Sequence, residues 1–234
     1  RATQYALQRP IRDLGCQWPV YRVTEQATIT LAGQLTAIYP QGFVWQDALN
    51  STETIYDSLP WFLWDIRPQG FLGREFRAIH QQLGLNQRLQ DWHDDDVLTF
   101  LLKFGFVQPS HFLVGEESRV SFLRLQQDVM QPDDEDGWLK TRASYGQEAS
   151  KVIRHDIARS SAAGEQPKFG LFVLENQQAF ELLVKFSPPL STENGQRWSD
   201  LLIAEHLALQ SLQYFGIAAA KSHIVQTSGR TFLE

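Results

Sequence analysis

The sequence predicts an α+β protein in two units: a β-rich N-terminal unit with short helices, then a unit of antiparallel strands plus one long helix. Three observations predict it. Short β-branched or alternating runs, punctuated by Gly, Pro and Asn, follow one another from Val20 onward. An acidic run, Gln131-Pro-Asp-Asp-Glu-Asp-Gly137, interrupts them and reads as a solvated boundary. Beyond it, two apolar runs flank a short polar turn, and a helical stretch follows from Leu201 to Phe215.

The 234 residues suffice for one good core or two small ones. With 43% hydrophobic residues and charges of both signs, the chain belongs to the globular class and not the disordered one. A net charge of −6 argues against a surface that binds nucleic acid as a whole. Cys16 stands alone, so no internal disulfide and no cysteine-based zinc site can be built, and a reducing, cytoplasmic setting is expected. No apolar run approaches the ~20 residues of a membrane span, so no membrane partner is expected. The start, Arg1-Ala-Thr-Gln-Tyr, is neither a signal peptide nor an initiator methionine, and the chain reads as a fragment.

Residues 1–20 read as a linker or the remnant of an upstream winged-helix domain. Arg1 to Arg9 resembles the closing strand of a wing, and Arg9 to Pro19 reads as a connector. Residues 21–137 form the first unit, with strands at Val20–Val23, Thr28–Leu35, Gln34–Tyr39 and Phe43–Trp45, and turns at Gly33 and Pro40-Gln-Gly42. Leu59 to Trp64 reads as a packed aromatic turn, with Trp61 and Trp64 as core in preference to a base-stacking platform. A helix is expected at Arg74–Leu83.

Asp91-Trp-His-Asp-Asp-Asp96 precedes the helical run Val97–Phe104, where acidic residues favour the N-terminus through capping and the dipole. Adjacent side chains diverge around a turn, so these carboxylates do not read as a metal site. Phe106–Val114 and Ser118–Leu125 read as strands, with Gly115-Glu-Glu-Ser as their turn.

Residues 138–234 make the second unit, entered through a helix or linker at Trp138–Asp156. A small-residue stretch, Ser160-Ser-Ala-Ala-Gly-Glu-Gln-Pro-Lys168, leads to apolar runs at Phe169–Leu174 and Phe180–Phe186. Strand alternation puts Val184 and Phe186 on one face and Lys185 on the other. The following helix, capped by Ser199 or Asp200 and ended by Gly216, carries Leu201, Leu202, Leu209 and Leu212 as a stripe with Glu205 inside it. A carboxylate on a packing face needs a cation, and Lys185 is the nearest from a neighbouring element. Strands at Ile217–Val225 and Arg230–Leu233 follow, joined at Thr227-Ser-Gly229. Small-residue loop, strand lysine and helix glutamate stand in the order of a kinase N-terminal lobe.

Ser161-Ala-Ala-Gly-Glu-Gln-Pro-Lys168, Leu183-Val-Lys-Phe-Ser-Pro188, Ala204-Glu-His-Leu-Ala-Leu and Phe215-Gly-Ile217 together resemble the HipA family of serine/threonine kinases, toxins of toxin–antitoxin modules, and within it the longer-headed YjjJ-like branch. Pro68-Gln-Gly-Phe-Leu-Gly-Arg74 is similar to the HipA N-terminal subdomain. The resemblance implies a HipA-type subdomain followed by a protein-kinase-like N-lobe, with the catalytic C-lobe absent from this chain. It implies ATP and Mg²⁺ as cofactors, Lys185 and Glu205 as the catalytic ion pair, and catalytic and Mg²⁺-binding aspartates beyond Glu234.

Nucleotide contacts are implied at Ser160, Ser161, Ala162, Ala163, Gly164, Glu165, Gln166, Lys168 and Lys185, and at Glu234 where the adenine-holding hinge begins. Ser161, or its neighbour Ser160, takes the position of regulatory autophosphorylation. The His155-Asp156 pair lacks the arginine and asparagine of a kinase catalytic loop and precedes the phosphate loop. Implied partners are a protein substrate such as an aminoacyl-tRNA synthetase, an antitoxin, the missing C-lobe, and DNA only through a domain upstream of residue 1. The alternative is a non-catalytic, kinase-fold regulatory or DNA-associated binding protein.

Overall fold

The computed structural model describes residues 5–24, 28–69, 77–107, 110–129, 141–157, 166–175 and 178–234. The chain forms two compact units, Arg1–Gln127 and Asp128–Glu234, both of mixed α+β structure. No helix among the described residues is long and apolar enough to cross a membrane.

The first unit is built on an antiparallel five-stranded sheet of order β4-β3-β2-β1-β5. The strands are β1 (Gln17–Val23), β2 (Ile29–Ala37), β3 (Phe43–Asp47), β4 (Glu53–Tyr56) and β5 (Phe112–Val114). Helices α1 (Trp61–Trp64), α2 (Arg77–Gln82), α3 (Asp94–Phe104) and α4 (Gly115–Val129) complete it. Val20, Leu35 and Phe43 on the sheet pack with Leu63 of α1 and Leu98 and Leu101 of α3, all buried. Their burial supplies most of this unit's stabilisation, at ~1.5–3 kcal/mol per large apolar side chain.

Several sequence expectations are corrected here. Thr28–Leu35 and Gln34–Tyr39 are one strand, β2, and Gly33 lies inside it. The Trp45 ring and the Gln46 carbonyl lie so close that a Cβ on Gly33 would stand 2.5 and 2.3 Å from them. Glycine at this position admits a neighbour's indole instead of making a turn. Ser118–Leu125 is helical, within α4, because Ser118 and Phe122 recur at the i, i+4 spacing of a buried face. Within the stretch Arg9–Pro19, expected as a connector, Ile11 and Trp18 are core, and Arg9 N–H donates to the Ala37 carbonyl at 2.9 Å. Trp61 is 71% exposed, whereas Leu59 and Leu63 around it fill the core.

The acidic run at α3 is committed to protein partners. Asp95 takes a two-pronged bond from Arg9 at 2.5 and 2.9 Å, Asp96 accepts from Arg12 at 2.9 Å, and Asp94 accepts from Leu59 N–H at 2.8 Å. The Arg9 guanidinium is raised above its ordinary value, chiefly by the hydrogen bond to Asp95.

The second unit has a four-stranded antiparallel sheet of order β6-β7-β9-β8. Its elements are α5 (Tyr145–Ile157), β6 (Lys168–Glu175), β7 (Gln178–Phe186), α6 (Glu193–Tyr214), β8 (Ile224–Thr227) and β9 (Arg230–Leu233). One sheet face presents Phe169, Val184, Phe186 and Phe232, which bury Tyr145 and Ala149 of α5. The other presents Thr231 and Lys185, which meet Ser199 and Glu205 of α6. The sheet is thus covered on both sides by helices of opposite chemistry: an aromatic packing side and a polar one.

Helix α6 begins at Glu193, earlier than the sequence predicted, with Thr192 Oγ1 accepting from Gly195 N–H at 3.0 Å. Gly195 belongs there because the first turn lies against Pro189, whose carbonyl oxygen would stand 1.9 Å from an added Cβ. Ser199 is therefore no cap; it is buried inside the helix and hydrogen-bonded to Thr231 Oγ1 at 2.7 Å. The apolar stripe is also misread, since Leu202 is buried but Leu201 is 57% exposed and Leu212 is exposed. Residues 217–223 form no strand; pairing resumes only at Ile224. The acidic run 131–137 lies outside the described residues.

Phe232 joins the aromatic packing of Tyr145 (5.3 Å between ring centroids) and Phe186 (6.1 Å). Phe232→Ala is expected to lower stability by ~3–5 kcal/mol in urea unfolding; a loss under ~1 kcal/mol would show that this core is not the one holding the unit.

Candidate functional site

Lys185 and Glu205 meet across the polar side of the second unit. Lys185 Nζ donates to Glu205 Oε1, and the two side chains are 25% and 38% exposed. The sequence arranges this contact in two ways. Alternation along β7 turns Lys185 away from Val184 and Phe186, which the aromatic core retains. Ser199 and Leu202, anchored against the sheet, aim the next turn of α6 so that Glu205 faces the lysine.

Lys168 is the cross-strand register partner of Lys185 and shares its face. Like charges directly opposite each other are unfavourable in a sheet. The Glu205 carboxylate is bonded to one of them, and the cluster Lys168, Lys185 and Glu205 carries net positive charge. Just before β6, Gln166 Nε2 is buried with no hydrogen-bond partner among the described residues. Two cations therefore stand opposite each other where the hairpin begins, with Gln166 just before them in the chain. Ser160, Ser161, Ala162, Ala163, Gly164 and Glu165 lie outside the described residues.

Glu234 follows β9 and is buried, with its side chain 3% exposed. Arg142 grips it with Nε on Oε1 at 2.7 Å and Nη2 on Oε2 at 2.8 Å, while the Tyr145 hydroxyl donates to Oε1 at 2.5 Å. Burial pushes the Glu234 carboxyl up, but the Arg142 and Tyr145 hydrogen bonds and the Arg142 charge outweigh it and hold the carboxyl below its ordinary value. Tyr145 moves the opposite way, raised strongly by burial and then by the neighbouring carboxylate. Sequence reasoning missed Arg142 and Tyr145, because the chain gives no local sign of a partner some ninety residues away. The structure brings Lys168, Lys185 and Glu205 together on one side of the sheet, and holds the Glu234 side chain on the other with α5.

Among the described residues, no group of three or more His, Cys, Asp or Glu side chains stands close enough to hold a metal ion.

Residues 14–123 match the family model described as the YjjJ-like toxin, middle domain. Over 236 aligned positions the chain is 38% identical to Toxin YjjJ of Escherichia coli (strain K12), with all of this chain and 52% of that protein covered. The chain therefore spans about half the length of the curated relative it matches. No solved structure matches it.

Partly exposed ion pairs contribute ~0–1 kcal/mol, so a double-mutant cycle with Lys185→Met and Glu205→Gln is expected to give a coupling energy in that range. A coupling above ~3 kcal/mol would assign the pair to holding the fold. For Glu234 the depressed carboxyl stabilises the folded state fully above the ordinary value of 4.5, and that contribution is lost as the pH falls through the lower folded value. The stability gap between wild type and Glu234→Gln is therefore expected to be widest near neutral pH and to close on acidification; urea midpoints between pH 7 and pH 3 check this, and a gap independent of pH would refute it.

Proposed function

We propose that this chain is the N-terminal part of a toxin-type protein serine/threonine kinase of the HipA kind, which transfers the γ-phosphoryl group of ATP to a protein hydroxyl. The observation that carries the reading is the Lys185–Glu205 ion pair between a central strand and the long helix beside it. Phosphoryl transfer relies on positioning and charge neutralisation, and a strand lysine fixed by a helix glutamate is a recurrent means of both. The similarity to a protein named as a toxin supports the toxin assignment.

The residues present fit a polyphosphate. Lys168 and Lys185 place two ammonium groups on one face, and the buried Gln166 Nε2, without an acceptor among the described residues, is a donor that a phosphate oxygen would satisfy. ATP, when bound with Mg²⁺, supplies the phosphoryl group and part of the charge neutralisation. Glu205 restrains the Lys185 side chain so that its ammonium is oriented before the nucleotide arrives, which lowers the entropy cost of binding. Lys168 adds a second positive charge, and Gln166 a neutral donor.

We assign the catalytic and Mg²⁺-binding aspartates, and the C-lobe carrying them, to portions of the full-length protein outside this chain. The Ser160 to Glu165 stretch completes the phosphate contacts in this reading, and Glu234 opens the adenine-holding segment. Phosphorylation of Ser161, or of Ser160, would place a dianion in competition with the nucleotide for the same donors and switch the enzyme off. A protein substrate of the aminoacyl-tRNA synthetase class and an antitoxin are the partners proposed with it, and cytoplasmic is the proposed location.

In the full-length protein, Lys185→Ala is expected to reduce transfer of label from γ-labelled ATP to protein by ~10²–10³-fold, the scale of losing one preorganised charge contact, without loss of fold by circular dichroism. Wild-type protein that transfers no label, or a Lys185→Ala variant as active as wild type, would reject the kinase reading.

A further inference from the structure

The strand that carries Lys185 is joined to β9 by only two residue pairs, Lys185 with Leu233 and Phe186 with Phe232. So short a ladder frays unless its ends are held. One end is secured at Ser187, whose N–H donates to the Thr231 carbonyl at 2.9 Å and whose Oγ accepts from Thr231 N–H at 3.0 Å. The other end is the Lys185 side, where β9 ends at its partner Leu233 and Glu234 follows.

Glu234 is held through both its main chain and its side chain. Its main chain exchanges two hydrogen bonds with His223, at 2.9 and 3.2 Å, and its carboxylate takes three donors from Arg142 and Tyr145. Tyr145 also packs its ring on Phe169, at 5.9 Å between centroids, and on Phe232. Phe169 follows Lys168, and Phe232 pairs with Phe186, which follows Lys185. From the aromatic side of the sheet, one tyrosine thus touches Phe169, the neighbour of Lys168, and Phe232, the register partner of Phe186, together with the carboxylate at the end of the β7–β9 ladder.

We infer that Arg142 and Tyr145 are positioning residues for the lysine pair, acting through Glu234 from the opposite face of the sheet. The inference rests on the nucleotide reading of the lysine face and adds to it two residues that hold Glu234. Their effect falls on how well the ammonium groups are preorganised for an anion. It appears in the affinity for ATP and not in the chemical step, which other groups conduct.

The test uses full-length protein carrying Tyr145→Phe, Arg142→Lys or Lys185→Ala, with steady-state kinetics at varied ATP and melting temperature measured together. Tyr145→Phe keeps the buried ring and removes only the hydroxyl, so it remains informative where an Arg142 variant folds poorly. Tyr145→Phe is expected to raise the KM for ATP about tenfold, corresponding to one charge-assisted hydrogen bond, with kcat changed less than about twofold. Arg142→Lys, which keeps the charge but loses the fork, is expected to raise it by a smaller factor. Variants that melt earlier but keep the wild-type KM, while Lys185→Ala still loses activity, would overturn the inference and leave the clamp a purely structural device. If Lys185→Ala is also without effect, the nucleotide reading falls first and the positioning role with it.

Discussion

The ladder of two residue pairs between β7 and β9 is the constraint on which the second unit depends. Each of its residues has a distinct task, since Lys185 faces the polar helix and Phe186 the aromatic core. Because strand side chains alternate, a slip of one residue would bury the ammonium among phenyl rings and turn Phe186 toward Glu205. The cost of a buried, unpaired charge is several kcal/mol, which sets the register more firmly than two backbone pairs could. Core packing and site geometry are consequences of one choice of register.

Helix α6 belongs to the same logic. Its length lets Ser199, Leu202 and Glu205 recur at intervals of three along one side, so that a buried hydroxyl, a buried leucine and a half-exposed carboxylate descend toward the lysine in order. Elsewhere on the helix Leu201, Leu207 and Tyr214 are exposed. The helix orients a charge, and only secondarily does it fill a core.

What could be read in the sequence was local. The β6–β7 hairpin and the facing of Lys185 follow from alternation, and the contact with Glu205 follows from the need of a half-buried carboxylate for a cation. What could not be read depended on tertiary neighbours. The sequence puts the start of α6 at Ser199 or Asp200, because the approach of Pro189 that calls for Gly195 in its first turn is a tertiary contact, and Gly33 looks like a turn until Trp45 covers it. Ser118–Leu125 alternates well enough for a strand, and only its packing through Ser118 and Phe122 makes it a helix. Arg142 and Tyr145 gave no sign because a carboxylate partner at Glu234 is specified by the fold and by nothing near them in the chain.

The distribution of indoles has an optical consequence. Trp18, Trp45 and Trp92 are buried in the first unit, while the core of the second unit, among the described residues, contains tyrosine and phenylalanine but no tryptophan. Emission excited at the indole band therefore reddens chiefly when the N-terminal body melts. The C-terminal body contributes through the half-buried Trp198 of α6, outside its aromatic core, and that core is better followed through the near-ultraviolet dichroism of Tyr145.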